Sequence, residues 1–315
     1  MEEENETGKR KMKKETLHCE NEPLLLCREA GEGWAVWADA GILIGLFLLC
    51  RSIGILLGHL FAFAPADFFR SSDWAYLFIR FLSDGIGIGI VLSFAQRFQK
   101  RGVKSFGFLK EKWFLRAAGS LAAGMLAFSL PLFAGWAAGA VRLEGAPLQA
   151  MPGQIALFFG AILLNAFFEE TLFTGFFAVS AARRIPSLCA SAIAAVFSAV
   201  PSLFRGGAGV ISTVNLILFS FLLGAFFFAV KGSLWGIGCF HAGWIFAEGC
   251  LFGMPVRGWG RLPSVWIFSS SSSLFSGGVF GPEGGLSVTL LLLLGICGVF
   301  LLDRKKKKRL DLSAF

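Results

Sequence analysis

Three residues hold the chemistry that this chain could perform: Glu169, Glu170 and His241. Each is ionisable, and each interrupts a long apolar stretch. A charged side chain at membrane depth costs about 2.5–3.5 kcal/mol on insertion scales, so such residues point to function by default. The two acids fall in Asn165-Ala-Phe-Phe-Glu-Glu-Thr-Leu-Phe-Thr-Gly175. Adjacent side chains on a helix point about 100° apart, so one carboxylate can face a central cavity while the other pairs elsewhere in the bundle. His241 follows Gly232-Ser-Leu-Trp-Gly-Ile-Gly-Cys-Phe and is the only histidine in the second half of the chain. A carboxylate in such a place can act as a general base, and an imidazole as an acid, a base or a hydrogen-bonding group. The plainer reading makes the acids a helix-packing ion pair and the histidine a satisfied core residue.

Positioning these groups requires helices, and the composition supplies them. The chain is 55% hydrophobic, with 36 Phe against one Tyr, and its mean hydropathy is +0.68. A soluble domain does not hide that much apolar surface, whereas a bilayer does. Apolar runs long enough to cross it lie at about 36–62, 74–95, 115–140, 155–180, 186–204, 210–230, 232–253 and 286–302. The expectation is an all-α, polytopic transmembrane helix bundle of about eight spans. The small-residue pairs Gly41/Gly45, Gly54/Gly58 and Gly85/Gly89 predict close helix approaches.

Charge sets the orientation. With the N-terminus in the cytoplasm, only Arg70, Arg142, Arg205, Arg257 and Arg261 of the 29 Lys and Arg residues fall outside, and Arg51 and Arg80 lie within predicted spans. Such a bias places both termini in the cytoplasm. Glu169 and His241 then both lie roughly 14–16 Å from the cytoplasmic edge, at 1.5 Å per helical residue, so the acids and the imidazole share one layer. The net charge of +8 speaks for an anionic membrane surface rather than nucleic acid, with Arg304–Arg309 as an inner-leaflet anchor.

Residues 1–33 form a polar cytoplasmic segment, disordered or surface-lying, with no cleavable signal peptide. The bundle occupies 34–302, and 303–315 is a basic cytoplasmic tail. The seven cysteines (19, 27, 50, 189, 239, 250 and 297) are scattered without paired spacing and read as free. The stretch 254–285, rich in Gly, Pro and Ser, reads as a structured loop on the outer side. The chain contains no P-loop, Rossmann glycine pattern, GxSxG or HExxH.

In order and spacing, three motifs resemble the CPBP family of intramembrane proteases, also called the CAAX amino-terminal protease or Abi family. Its members include the CAAX prenyl endopeptidase and bacterial bacteriocin-immunity proteins. The family pattern is Glu-Glu-x-x-Phe-Arg, then Phe-x-x-x-His, then His-x-x-x-Asn or Asp. Here they read Glu169-Glu170-Thr171-Leu172-Phe173-Thr174, Phe197-Ser198-Ala199-Val200-Pro201 and His241-Ala242-Gly243-Trp244-Ile245. Ser105-Phe106-Gly107-Phe108 and Phe280-Gly281-Pro282-Glu283-Gly284 add to the likeness, which covers about 90–302.

The resemblance implies a glutamate-dependent intramembrane endopeptidase in a bacterial plasma membrane, its active site toward the cytoplasm, cutting a membrane-tethered or hydrophobic peptide. Glu169 takes the role of base that activates water, with Glu170 beside it, and His241 supports the developing oxyanion. Phe173, Phe197 and Trp244 are the expected substrate-binding residues. Membrane lipids are the other partner. Three positions depart from the pattern: Thr174 replaces Arg, Pro201 replaces His, and Ile245 replaces Asn or Asp. Pro201 and Ile245 have no side-chain donor or acceptor, and Ser198, Ser202, Arg205 and Glu248 are the polar residues that could stand in. The family is often labelled metalloprotease, but one histidine and two acids supply a closed zinc set poorly, so neither metal nor cofactor is expected. The alternative is a degenerate member acting as a membrane binding, immunity or scaffold protein.

Overall fold

The computed structural model describes residues 21–31, 33–62, 73–146, 152–204, 207–258, 260–270, 274 and 276–313. Cys19, Arg70, Arg205 and most of the polar N-terminal segment lie outside the described residues. The chain is a helical bundle. A short helix α1 (Glu22–Glu29) precedes α2 (Val36–Ala62), α3 (Asp73–Phe98) and α4 (Trp113–Ala137). Helix α5 begins as Pro152–Glu169, passes into a π-helix at Glu170–Ala178 and ends at Ala181. Then come α6 (Ser187–Ala199), α7 (Val210–Ala229), α8 (Leu234–Phe246, continued by a π-turn Ala247–Leu251) and α9 (Leu286–Ser313). Two short strands, β1 (Val141–Gly145) and β2 (Ile267–Ser270), pair antiparallel with Val141 opposite Ser270.

Seven helices among the described residues are long and apolar enough to cross a membrane, which makes this an integral membrane protein. The remaining expected span, 232–253, is helical over Leu234–Leu251. It is not among the seven, because His241, Glu248 and its glycines dilute the apolar run. Helix α8 is instead the inner helix, packed on α4 and α5. Its buried residues run almost unbroken from Leu234 to Ile245, so, like the buried Glu170–Ala181 half of α5, it faces protein. The last helix runs through Arg304–Arg309 to Ser313, so the basic segment continues the span.

The closest helix approach is made by glycines other than those the sequence suggested. Of the predicted pairs, Gly41, Gly45 and Gly89 look onto open space, whereas a Cβ on Gly54 would lie 2.7 Å from Ser83 Oγ and one on Gly85 3.4 Å from Leu164. Between α4 and α8, a Cβ on Gly124 would lie 2.1 Å from the Phe240 carbonyl oxygen and one on Gly243 would lie 2.2 Å from that of Leu121. Backbone cannot yield as a side-chain tip can, so Gly243→Ala should destabilise the protein by about 1–3 kcal/mol, read as a lower unfolding temperature in detergent. An unchanged temperature would show that α8 sits looser than this.

Candidate active site

The two acids mark the point where α5 changes its winding. Glu169 closes the α-helical part and Glu170 opens the π-helix. A π-helix widens the turn and leaves carbonyls off the usual ladder, a feature frequent at functional sites. Arg101, 1% exposed, donates to two carbonyls of this segment, Gly175 O at 2.7 Å and Phe176 O at 3.1 Å. Burial pushes this guanidinium down to about 10, which still leaves it charged at neutral pH. The same basic loop supplies Gly107, at φ 100°, whose carbonyl accepts the Leu234 N–H at 2.8 Å and so starts α8. A Cβ on Gly107 would meet Gly232 O at 2.5 Å. The loop thus fixes both helices that bear the ionisable groups.

Those groups meet. His241 Nδ1 lies 3.0 Å from Glu170 Oε1 and His241 Nε2 lies 3.9 Å from Glu169 Oε2. Arg257 Nη2 lies 3.0 Å from His241 Nε2. A guanidinium only donates, so Nε2 accepts from Arg257, and Nδ1 is the nitrogen that donates to Glu170. The second oxygen of Glu170 accepts from Thr174 Oγ1 at 2.9 Å. Glu170 is therefore engaged on both oxygens in holding its neighbours.

Glu169 lies between two guanidinium groups. Arg51 Nη2 approaches one oxygen and Arg257 Nη1 the other, each at 3.3 Å. Arg51 is anchored by Asp84, which accepts from Nη1 at 2.7 Å and from Asn165 Nδ2 at 2.7 Å. Arg257 is anchored by Glu283, through Nε at 2.9 Å and Nη2 at 3.3 Å. Glu283 also accepts from the Trp244 indole at 2.9 Å. Burial works against the charge on Arg257, but Glu283 and then Glu169 more than offset it and hold the group charged.

The partners Arg51, Asp84, Asn165, Arg257 and Glu283 were not read from the sequence as site residues. Arg51 and Asp84 carry the signal that singled out Glu169, a charge inside an apolar helix. Arg257 and Glu283 come from the 254–285 stretch, which folds back into the bundle instead of lying on its surface. Asn215 ties it down, donating to Glu283 O at 2.7 Å and Gly285 O at 2.9 Å.

Two crevices of about 10 Å³ each flank Glu169, roughly the space for one water. The first is lined by Glu169, Glu170, Phe173, Thr174, Ser198 and Ser220, among others. The second is lined by Arg51, Asn165, Glu169, Ile245 and Arg257, among others. Phe173 packs on Phe47 at the first crevice, whereas Phe197 packs on Phe177 and Trp244 is buried beside Phe128. Of the polar residues near the replaced positions, Ser198 reaches the first crevice and Ser202 turns back to Ala199 O at 2.6 Å. Glu248 is fully buried beside Arg257, and no protein group donates to either of its oxygens. Pro201 lies in the turn Val200–Phe204.

Among the described residues, no group of three or more His, Cys, Asp or Glu side chains is placed to hold a metal ion. The available donors also fit a metal poorly, since Nε2 of His241 and both oxygens of Glu169 face guanidinium groups that would repel a cation.

Residues 151–247 match the family model described as type II CAAX prenyl endopeptidase Rce1-like. No curated protein and no solved structure matches the chain. The matched segment holds Glu169, Glu170, Phe197 and His241 and stops before Arg257 and Glu283. The match supports the family likeness carried by the motifs: over residues 151–247 this integral membrane protein is similar to the Rce1-like, CAAX-type endopeptidases.

Proposed function

We propose that the chain is a glutamate-dependent intramembrane endopeptidase that hydrolyses a membrane-tethered peptide from the cytoplasmic side of a bacterial plasma membrane. The observation that carries this reading is the gathering of Glu169, Glu170, His241 and two guanidinium groups inside an apolar bundle, with space for water at Glu169. Glu169 takes a proton from that water. The water oxygen attacks the scissile carbonyl carbon, and the proton passes to the leaving amine as the C–N bond breaks. Glu170 and Thr174 orient the neighbouring imidazole and turn, and Phe173 and Phe197 flank the approach of the peptide. Trp244 serves the site through Glu283. The family description favours a CAAX-type peptide with a lipidated C-terminus.

A second reading keeps peptide binding without turnover. It is favoured by Pro201 and by buried Ile245, neither of which can hydrogen-bond through its side chain. The two readings separate when the protein, in lipid nanodiscs, is given a farnesylated peptide ending in Cys-aliphatic-aliphatic-X in ¹⁸O-labelled water. Hydrolysis leaves one ¹⁸O in the new C-terminal carboxylate, seen by mass spectrometry. Intact peptide that co-purifies with the protein would favour binding alone, and intact peptide that does not would overturn both.

A further inference from the structure

We infer that Arg257 is the oxyanion-stabilising residue of this site, in the place left by Ile245. The inference rests on the hydrolytic reading above and adds a residue that lies beyond the segment matched to the family. Ile245 is one helical turn past His241 and lines the second crevice with Glu169 and Arg257. Where the family pattern has an amide or acid, an apolar side chain stands, and a guanidinium enters the same crevice from the other wall.

His241 does not fill the role in this arrangement. Its Nδ1–H goes to Glu170 and its Nε2 accepts from Arg257, so no imidazole N–H is left for a substrate oxygen. Arg257 has donors to spare. Nε and Nη2 hold Glu283 and His241, while Nη1 meets Glu169 only at 3.3 Å. That Nη1 edge is next to the carboxylate that would activate water. A carbonyl oxygen entering there would meet a fixed, charged donor as its negative charge develops, the arrangement that stabilises a tetrahedral intermediate.

The backbone agrees. Arg257 has φ 46°, a left-handed conformation that non-glycine residues seldom adopt. Of the described non-glycine residues with positive φ, Lys100, Lys112 and Lys231 are exposed at turns and Arg257 alone is buried. Strain kept at a buried, ion-paired arginine is the pattern expected where a side chain must be aimed. Glu283, Trp244 and the Asn215 anchor of the loop do the aiming.

The test measures kcat and KM for wild type, Arg257→Ala, Arg257→Lys and Glu169→Gln in nanodiscs with the farnesylated peptide, with and without millimolar guanidinium chloride. Arg257→Ala should lose about 10²–10³-fold in kcat with little change in KM. Added guanidinium should restore part of that loss, but none of the loss in Glu169→Gln. Arg257→Lys, which keeps charge and loses the fork, should fold and fall between wild type and Ala. Wild-type kcat in folded Arg257→Ala or Arg257→Lys overturns the inference and leaves the hydrolytic reading standing. So does a loss that guanidinium does not restore and that appears equally in KM, since a structural role would give that. A wild type that cleaves nothing overturns both.

Discussion

Glu169→Gln should lower peptide hydrolysis about 10³–10⁴-fold, near the upper range for removal of a general base, while the protein stays folded. Glutamine keeps the volume and one acceptor oxygen, so Arg51 or Arg257 still finds a partner at the 3.3 Å positions. What is lost is the proton acceptor beside the first crevice. Glu170→Gln serves as the internal comparison. Its amide oxygen can still accept from His241 Nδ1, now 3.0 Å from Oε1, and the amide group can stay near Thr174. Its loss should therefore be smaller, on the order of 10-fold to 10²-fold. Initial rates on the farnesylated peptide in nanodiscs decide the order. Equal turnover by wild type and Glu169→Gln would remove Glu169 from the chemistry.

Asp84→Ala should cost about 3–5 kcal/mol of stability, because removing one partner of a buried pair leaves the other charge uncompensated. Asp84 is 2% exposed and Arg51 is 8% exposed. Arg51 Nη1 reaches both Asp84 oxygens, at 2.7 and 3.1 Å, and its guanidinium lies 4.9 Å from the Phe168 ring centroid. After the substitution only the longer contact to Glu169 remains to balance it, and Asn165 loses its acceptor. The paired change Arg51→Leu with Asp84→Leu should recover much of the loss, since two apolar side chains carry no desolvation cost in this setting. Thermal unfolding in one detergent gives the comparison. A single variant as stable as wild type would mean that Glu169 suffices to hold Arg51. The double variant should still be slow in hydrolysis, because Glu169 loses one of the two groups that position it.

The helical bundle, its spans to within a few residues, and the two acids and the imidazole facing one layer were all legible in the amino-acid order. Hydropathy reports the local preference of a segment for lipid over water, and that preference is set residue by residue. Helix α8 was legible as an apolar helix, but not that it packs inside the bundle and falls outside the seven helices apolar enough to span. What the sequence left open is which charges meet. Arg51 and Glu169 are 118 positions apart, and Arg257 and Glu169 are 88 apart. No periodicity joins positions so distant; only packing does. Arg257 looked like an outer-loop charge because Gly and Pro around it signal a turn, and turn chemistry does not reveal that the loop folds inward onto Glu283 and Asn215. The π-winding from Glu170, whose Gly175 and Phe176 carbonyls accept from Arg101 of another loop, carried no signal in the amino-acid order either. Local free energies fixed the helices and the presence of titratable groups inside them; long-range geometry chose the partners that give those groups their roles.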